Sequence, residues 1–293
     1  MNDLIFLKDY KHNENLRRSF NELATMIFGI DFEDWYEQGF WNHRYIPYSF
    51  IDEEKVVANV SVNILDFVID GEKKSAIQLG TVMTHPDYRN RGLSARLMNR
   101  VLDEYDGKYD YMYLFANQTV LDFYPKFGFT PIDETQFSME FSLRQKDTTG
   151  VHRLNGTNTD DLQFIHDFAA NRVPVSKRFG TANNQGILMF HCMYVFHQDI
   201  YYLEREDAIV IFKKDNEQID IFDVISKKGI SIHDILSKIV DRDTKKVVFH
   251  FTPDYPEIFT KTELYHGSDV WFIRRIDHAP LPLNLKHPLT SQA

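Results

Sequence analysis

The sequence predicts an α/β protein in which one arrangement of strands and flanking helices occurs twice. Three observations carry this. Residues 77–105 read as a strand, a Pro-containing turn and an amphipathic helix, the signature of a strand that hands over to a helix at a loop. Before them, Lys55–Leu65 alternates through Val57, Asn59, Val60, Ser61 and Val62 as a long strand does. Beyond residue 150 the same order returns: strands, a strand that breaks before a helix, another strand, a short helix and a final strand. A chain of 293 residues exceeds one average domain and suits two.

Taken in order, Leu16, Phe20, Leu23, Ala24, Ile27 and Phe28 recur at helical spacing, and Gly29 is a C-cap candidate. The stretch Ile30–Trp41 is dense in aromatics and carboxylates. Tyr48–Ile51 is read as a strand and Asp52-Glu53-Glu54 as a turn. Asp70-Gly71-Glu72 is a hairpin signal before the strand that ends at Thr84. His85-Pro86-Asp87-Tyr88 then turns the chain. From about Leu93 to about Tyr105 the residues Leu93, Leu97 and Val101 mark a helix. Asp110–Phe115 is the next strand, a helix carrying Tyr124 follows, and Phe137–Leu143 closes the first sheet.

At Gly92 and Ser94 a loop becomes a helix. Backbone N–H groups there lack intrahelical partners, and the helix dipole adds partial positive charge. A pyrophosphate suits that position, and a residue without a side chain lets it approach. Arg89 and Arg91 add cationic groups.

The run Arg89-x-x-Gly92-x-Ser94, with Phe123-Tyr124-x-Lys126-x-Gly128-Phe129 downstream, resembles the GCN5-related N-acetyltransferase (GNAT) family. The family's phosphate motif is Gln/Arg-x-x-Gly-x-Gly/Ala, so Ser94 departs from it while staying small. The second signature is met in full. This likeness covers roughly the first half of the chain. It implies a mixed, mostly antiparallel central sheet flanked by helices, and transfer of an acetyl group from acetyl-CoA to an amine. It further implies that the backbone of Val82, Met83 and Thr84 meets the pantetheine arm and the acetyl carbonyl. Arg89, Asn90, Arg91, Gly92, Leu93, Ser94 and Ala95 would wrap the pyrophosphate, Asn117 would bond the pantetheine, and Tyr124 would protonate the departing sulfur.

In that family the segment after the first helix walls the acceptor site. Glu33, Asp34, Trp35 and Glu37 are therefore candidate substrate contacts, suited to a small or cationic amine through charge and cation–π attraction. The alternative is a second amphipathic helix that buries Phe32, Trp35, Tyr36 and Phe40 in its own core. No general base is legible: Glu33, Asp34, Glu37, His43 and His85 are candidates, with His85 the more structural. A module that binds acyl-CoA without turnover is the competing function.

Gln145–Gly150 is polar and reads as a linker, which gives an acetyltransferase domain at 1–146 and a degenerate copy at 147–293. In the copy Thr159–Arg172 and Asn184–His197 are helices, with Thr159 or Asp160 as the first N-cap. Strands are read at 200–204, 207–213 and 217–225, a helix at 232–240, a strand at 245–251, a helix at Tyr255–Thr262 and a last strand at Val270–Ile276. The loop Ser226–Ser231 lacks the Arg-x-x-Gly pattern, so the copy is expected to hold no cofactor of its own and to wall the acceptor cleft or brace the first domain. The Pro-containing tail from Leu281 is expected at the surface.

A net charge of −10 argues against nucleic acid as partner. No apolar run is long enough for a bilayer, and the first nine residues lack a signal-peptide layout. Cys192 is the single cysteine, so no internal disulfide forms, which fits a cytoplasmic location. There is no His-Glu-x-x-His, Gly-x-Ser-x-Gly or Walker pattern, and His191 and His197 lack a carboxylate at ligand spacing, so no metal is expected.

Overall fold

The computed structural model describes residues 4–142, 147–276 and 281–293. Part of the expected linker (145–146) and the last residue of the strand expected over 137–143 lie outside these.

The first half runs β1 (Ile5–Lys8), α1 (Glu14–Phe28), α2 (Glu33–Glu37), β2 (Tyr45–Asp52), β3 (Lys55–Ile69), β4 (Glu72–Thr84), α3 (Leu93–Tyr105), β5 (Tyr111–Asn117), β6 (Thr130–Ile132) and β7 (Thr135–Glu140). The second runs β8 (Val151–Leu154), α4 (Thr159–Ala169), β9 (Phe179–Ala182), α5 (Gln185–Tyr194), β10 (Ile200–Leu203), β11 (Ala208–Asp215), β12 (Gln218–Ser226), α6 (Ile232–Ile239), β13 (Lys246–Phe249), β14 (Lys261–Leu264) and β15 (Asp269–Arg275). Helix α1 starts at a local signal: the Asn13 side chain accepts from Leu16 N at 3.2 Å. It ends at another, with Gly29 at φ 70° donating to Thr25 O. Helix α4 is capped by Asn158, one residue before the expected cap.

Two mixed, mostly antiparallel sheets form. The first has the order β1-β2-β3-β4-β5-β15-β6, with β9 paired to the far end of β3. The second is β14-β7-β13-β12-β11-β10-β8. Each contains one parallel pair, β4·β5 and β12·β13, crossed by α3 and α6 respectively. The element order seen twice in the sequence is therefore a pair of sheets with a shared connection.

The sheets exchange strands across the expected division at 146/147. Strand β7 does not close the first sheet but pairs with β13 and β14 in the second. Strand β15 pairs with β5 and β6 in the first. Its side chains explain this choice. Trp271 and Ile273 join Phe67, Tyr111, Tyr113 and Phe179 on one face, while Phe272 meets Leu114, Tyr124 and Phe129 on the other. A strand buried on both faces shows no alternation, so its pattern cannot name its sheet. A further apolar cluster joins Leu16, Phe20 and Trp35 to Leu162, Leu188 and Ile209, so the halves share an interior.

Two more expectations fail. Residues 255–260 form no helix, and β14 follows them, held by backbone pairing to β7 although its side chains are exposed. The tail is at the surface only as far as Asn284, and from Leu285 it turns inward. Leu285, Lys286, His287, Thr290 and Ser291 are buried, and the stretch runs as a strap between the sheets. Polar side chains hold it, a form of order that hydropathy does not show. Lys286 Nζ lies 3.1 Å from Glu134 Oε2, and His287 N donates to Glu134 Oε1 at 2.9 Å. Thr290 Oγ1 donates to Asp223 Oδ2 at 2.6 Å, and Asp223 is itself clamped by the two terminal guanidinium nitrogens of Arg172. Ser291 bonds Thr181 and Asn184.

Candidate active site

The parallel pairing of β4 and β5 runs from Ala76↔Tyr111 to Leu79↔Leu114 and then stops. Beyond it β4 continues to Thr84 and β5 to Asn117, so the strands splay into a V. A bulge bends β4 at that point: Ser61 faces Gly80 and Asn59 faces Met83, so Thr81 and Val82 together oppose Val60. Thr81 sits at φ 48°, a left-handed conformation that a β-branched residue adopts only under constraint. Two buried groups supply the constraint. Asn59 Nδ2 donates to Thr81 O at 2.9 Å, and the Thr81 and Tyr45 hydroxyls bond at 2.8 Å.

A cavity of about 920 Å³ occupies the V and extends on both sides. Its lining includes Val82, Met83 and Thr84. One end is the start of α3. Gly92 there has φ 69° and the helix has no side-chain N-cap, so its first N–H groups face the cavity beside Leu93, Ser94 and Ala95. The Ser94 hydroxyl bonds Thr84 Oγ1 at 2.8 Å, which ties the loop to the strand and leaves the backbone free. Arg89 and Asn90 also border the cavity. Arg91 does not: its guanidinium stacks 4.7 Å from the Tyr88 ring centroid and donates to Asp87 O. His85 caps the short turn 86–88 through Nδ1 and is structural.

Tyr124 lies across the V from β4. The helix expected to carry it is one 3-10 turn, Tyr124–Phe127, stopped by Gly128 at φ 80°. The ring packs on Phe129 and Phe272. Burial pushes its phenol up to about 12, so it holds its proton at neutral pH. Among the described residues no hydrogen bond reaches its hydroxyl. Asn117 borders the cavity at the end of β5, its Oδ1 occupied by Thr119 N at 3.0 Å and Thr119 Oγ1 at 2.5 Å.

On the other side of Thr81 the wall differs from the expected one. Trp35 does line the cavity, its indole donating to Gly186 O at 2.9 Å. Glu33 points away, taking Arg17 Nε at 2.9 Å and Asn21 Nδ2 at 2.8 Å. Asp34 and Glu37 are exposed, and neither they nor His43 border the cavity. The wall is instead Ile27, Phe28, Ile30 and Phe32 from the first half and Ile187 and Phe190 from α5, closed by Gln292 and Ala293 of the strap. Ala293 lies so near β4 that a Cβ on Gly80 would stand 3.3 Å from its own Cβ. Sequence reading missed these residues because a helix-end isoleucine or an apolar helix gives no sign of facing a cavity. The aromatic density at 30–41 was the one available signal, and it reflects both core and wall.

Residues 11–132 match the acetyltransferase (GNAT) domain. No curated protein matches the chain. Among solved structures, a protein of unknown function from Enterococcus faecalis V583, described as a probable N-acyltransferase, superposes with a TM-score of 0.60 over 94% of this chain and 73% of its own, at 14% identity. A GCN5-related N-acetyltransferase from Kribbella flavida gives 0.57 over 93% and 72%, at 15% identity. Eis1 from Mycobacterium abscessus gives 0.58 over 94% and 73%, at 14% identity. At these identities the likeness concerns fold, and it extends over both sheets.

The features that open the V of the first sheet are filled in the second. The pairing of β12 and β13 likewise ends after four residues, at Ile221↔Phe249. The strap then enters: Leu289 N donates to His250 O at 3.1 Å and Thr290 bonds Asp223. The start of α6 is occupied as well, since Glu257 Oε1 accepts from Ile232 N at 2.9 Å and from Ser231 Oγ at 3.0 Å. Among the described residues no group of three or more His, Cys, Asp or Glu side chains is placed to hold a metal, and no helix is long and apolar enough to cross a membrane.

Proposed function

We propose that the chain transfers the acetyl group of acetyl-CoA to an amine. The observation that supports this most is that one cavity joins the uncapped start of α3, the splayed end of β4 and the proton-bearing Tyr124. The N–H groups after Gly92 hold the pyrophosphate, with Arg89 beside them, and the V receives the pantetheine arm. The strand end fixed by Thr81 directs backbone donors at the acyl oxygen. The amine nitrogen forms the C–N bond as the C–S bond breaks. Sulfur leaves with the Tyr124 proton, and the proton lost by nitrogen returns through water to the phenolate. Among the described residues the side chains of Glu33, Asp34 and Glu37 do not border the cavity, whereas Ala293, the last residue of the sequence, does. The filled V and capped α6 favour one cofactor per chain.

The test is thiol release from acetyl-CoA against an amine panel, in the wild type and in Tyr124→Phe. The variant should lose turnover by about ten- to ten-thousandfold with cofactor affinity nearly intact. Wild-type turnover in Tyr124→Phe sinks the acid role. Tight cofactor binding with no thiol release for any amine favours a non-catalytic acyl-CoA binder.

A further inference from the structure

One residue of the cavity holds a backbone conformation that its type disfavours. Thr81 is at φ 48°, while every other described non-glycine residue at positive φ is Asp, Asn or Glu. It is the first of the two bulge residues that face Val60, a position where glycine is the usual choice. Just before it the pairing of β4 with β5 ends at Leu79, so the edge of β4 that carries Thr81, Val82 and Met83 opens on the cavity. Where the backbone groups of that edge point depends on whether Thr81 keeps this conformation.

Asn59 acts on Thr81 from outside the cavity, which it does not border, and it is fully buried. Thr81 O only accepts, so the amide atom facing it at 2.9 Å is Nδ2. Oδ1 therefore accepts from Ser49 Oγ at 2.8 Å. With its own proton spent there, Ser49 accepts from the Tyr10 hydroxyl at 2.6 Å. The second Nδ2 proton goes to Ser61 Oγ at 2.9 Å. On the side-chain end of Thr81, its hydroxyl bonds that of Tyr45 at 2.8 Å. A buried network paired this completely fixes one geometry.

We propose that Asn59 is a positioning residue for acyl transfer: by holding Thr81 in the left-handed conformation, it turns the backbone N–H groups of the β4 edge toward the acyl oxygen. The proposal rests on the acyl-transfer reading for the reaction it serves, and it names a side chain that touches neither cofactor nor amine. Without Asn59, Thr81 relaxes toward the negative φ of an ordinary strand residue and the donors swing out of line. Such donors act in full only when they are aimed before charge develops. A misplacement of about 1 Å caused by a distant substitution costs about a hundredfold in rate. The effect is the same for any acceptor amine, because it concerns the acetyl carbonyl.

The experiment reads the carbonyl directly, by infrared difference spectroscopy of acetyl-CoA isotope-labelled at the acetyl carbonyl and bound to the full chain, beside kcat for thiol release and calorimetric affinity for acetyl-CoA. In the wild type the bound band should lie below that of free acetyl-CoA, because N–H donors weaken the C=O bond. In Asn59→Ala the band should return toward the free position and kcat should fall about ten- to a hundredfold, with acetyl-CoA affinity unchanged. Adding Thr81→Gly to Asn59→Ala should recover the band shift and most of the lost rate, since glycine takes a φ of 48° without a Cβ penalty. A merely structural Asn59 would lower stability without moving the band, and glycine would restore nothing. Tyr45→Phe removes the other restraint and should show the same changes to a smaller degree; if Asn59→Ala does not fold, an unchanged band in Tyr45→Phe overturns the proposal. It is also overturned by an unshifted wild-type band, by a folded Asn59→Ala with wild-type band and kcat, or by no recovery with Thr81→Gly. If the band shift depends on Asn59 yet no amine releases thiol, the positioning role stands and the acyl-transfer reading fails.

Discussion

His287 makes the strap sensitive to acid, and the effect can be sized. Its ring is fully buried, Nδ1 lies 3.0 Å from Pro288 O and Nε2 lies 3.1 Å from the Tyr113 hydroxyl. A carbonyl only accepts, so Nδ1 bears the proton and Nε2 accepts from Tyr113, which leaves the ring neutral. Burial pushes its pKa from the ordinary 6.5 down to about 3. The sign follows: the unfolded chain takes up a proton as pH falls below about 6.5, while the native chain refuses it until about 3. Stability is thus full above the unfolded value and is lost as pH falls. At 1.36 kcal/mol per unit the loss is about 2 kcal/mol by pH 5 and about 3 kcal/mol by pH 4. His191, which donates from Nε2 to Gln292 O at 2.7 Å, is also held below its ordinary value by burial and adds to the same slope. The assay is urea unfolding from pH 7 to pH 4 for wild type and His287→Gln. The variant is less stable at pH 7, because two buried hydrogen bonds are disturbed, but its slope with pH should be shallower by the His287 share. Parallel slopes in the two proteins would refute the buried neutral imidazole.

Other expectations are independent of that one. Gly92→Asp and Gly92→Asn both place a side chain in open space at a φ of 69°, but only Asp puts a carboxylate at the start of α3. Acetyl-CoA should raise the melting temperature of Gly92→Asn and not of Gly92→Asp, and equal shifts would count against a pyrophosphate there. Asp223→Ala leaves the Arg172 guanidinium buried without its partner and frees Thr290, so chemical denaturation should show a loss of about 3–5 kcal/mol. Calorimetric titration with acetyl-CoA should give one site per chain, and two sites would show that Glu257 and the strap do not fill the second V.

Local chemistry determined much of this protein. Asn13 and Gly29 set the ends of α1, Asp70-Gly71 set a hairpin, and the run from Gly80 to Met98 fixed strand, turn, glycine-started helix and its exposed N–H groups. All of these are decided within a few residues, by caps, periodicity and the freedom of glycine. Tertiary structure decided what depends on partners far away in the chain. The sheet joined by β15, strap burial around residues 285–291, and the apolar wall at Phe190 each rest on pairings a hundred or more residues apart. Glu33 shows the same limit in one residue. Its type suggested a contact for a cationic substrate, but Arg17 and Asn21, brought beside it by α1, take its carboxylate first. A side chain's type is written in the sequence, whereas the group that satisfies it is chosen by whichever surfaces the fold brings together.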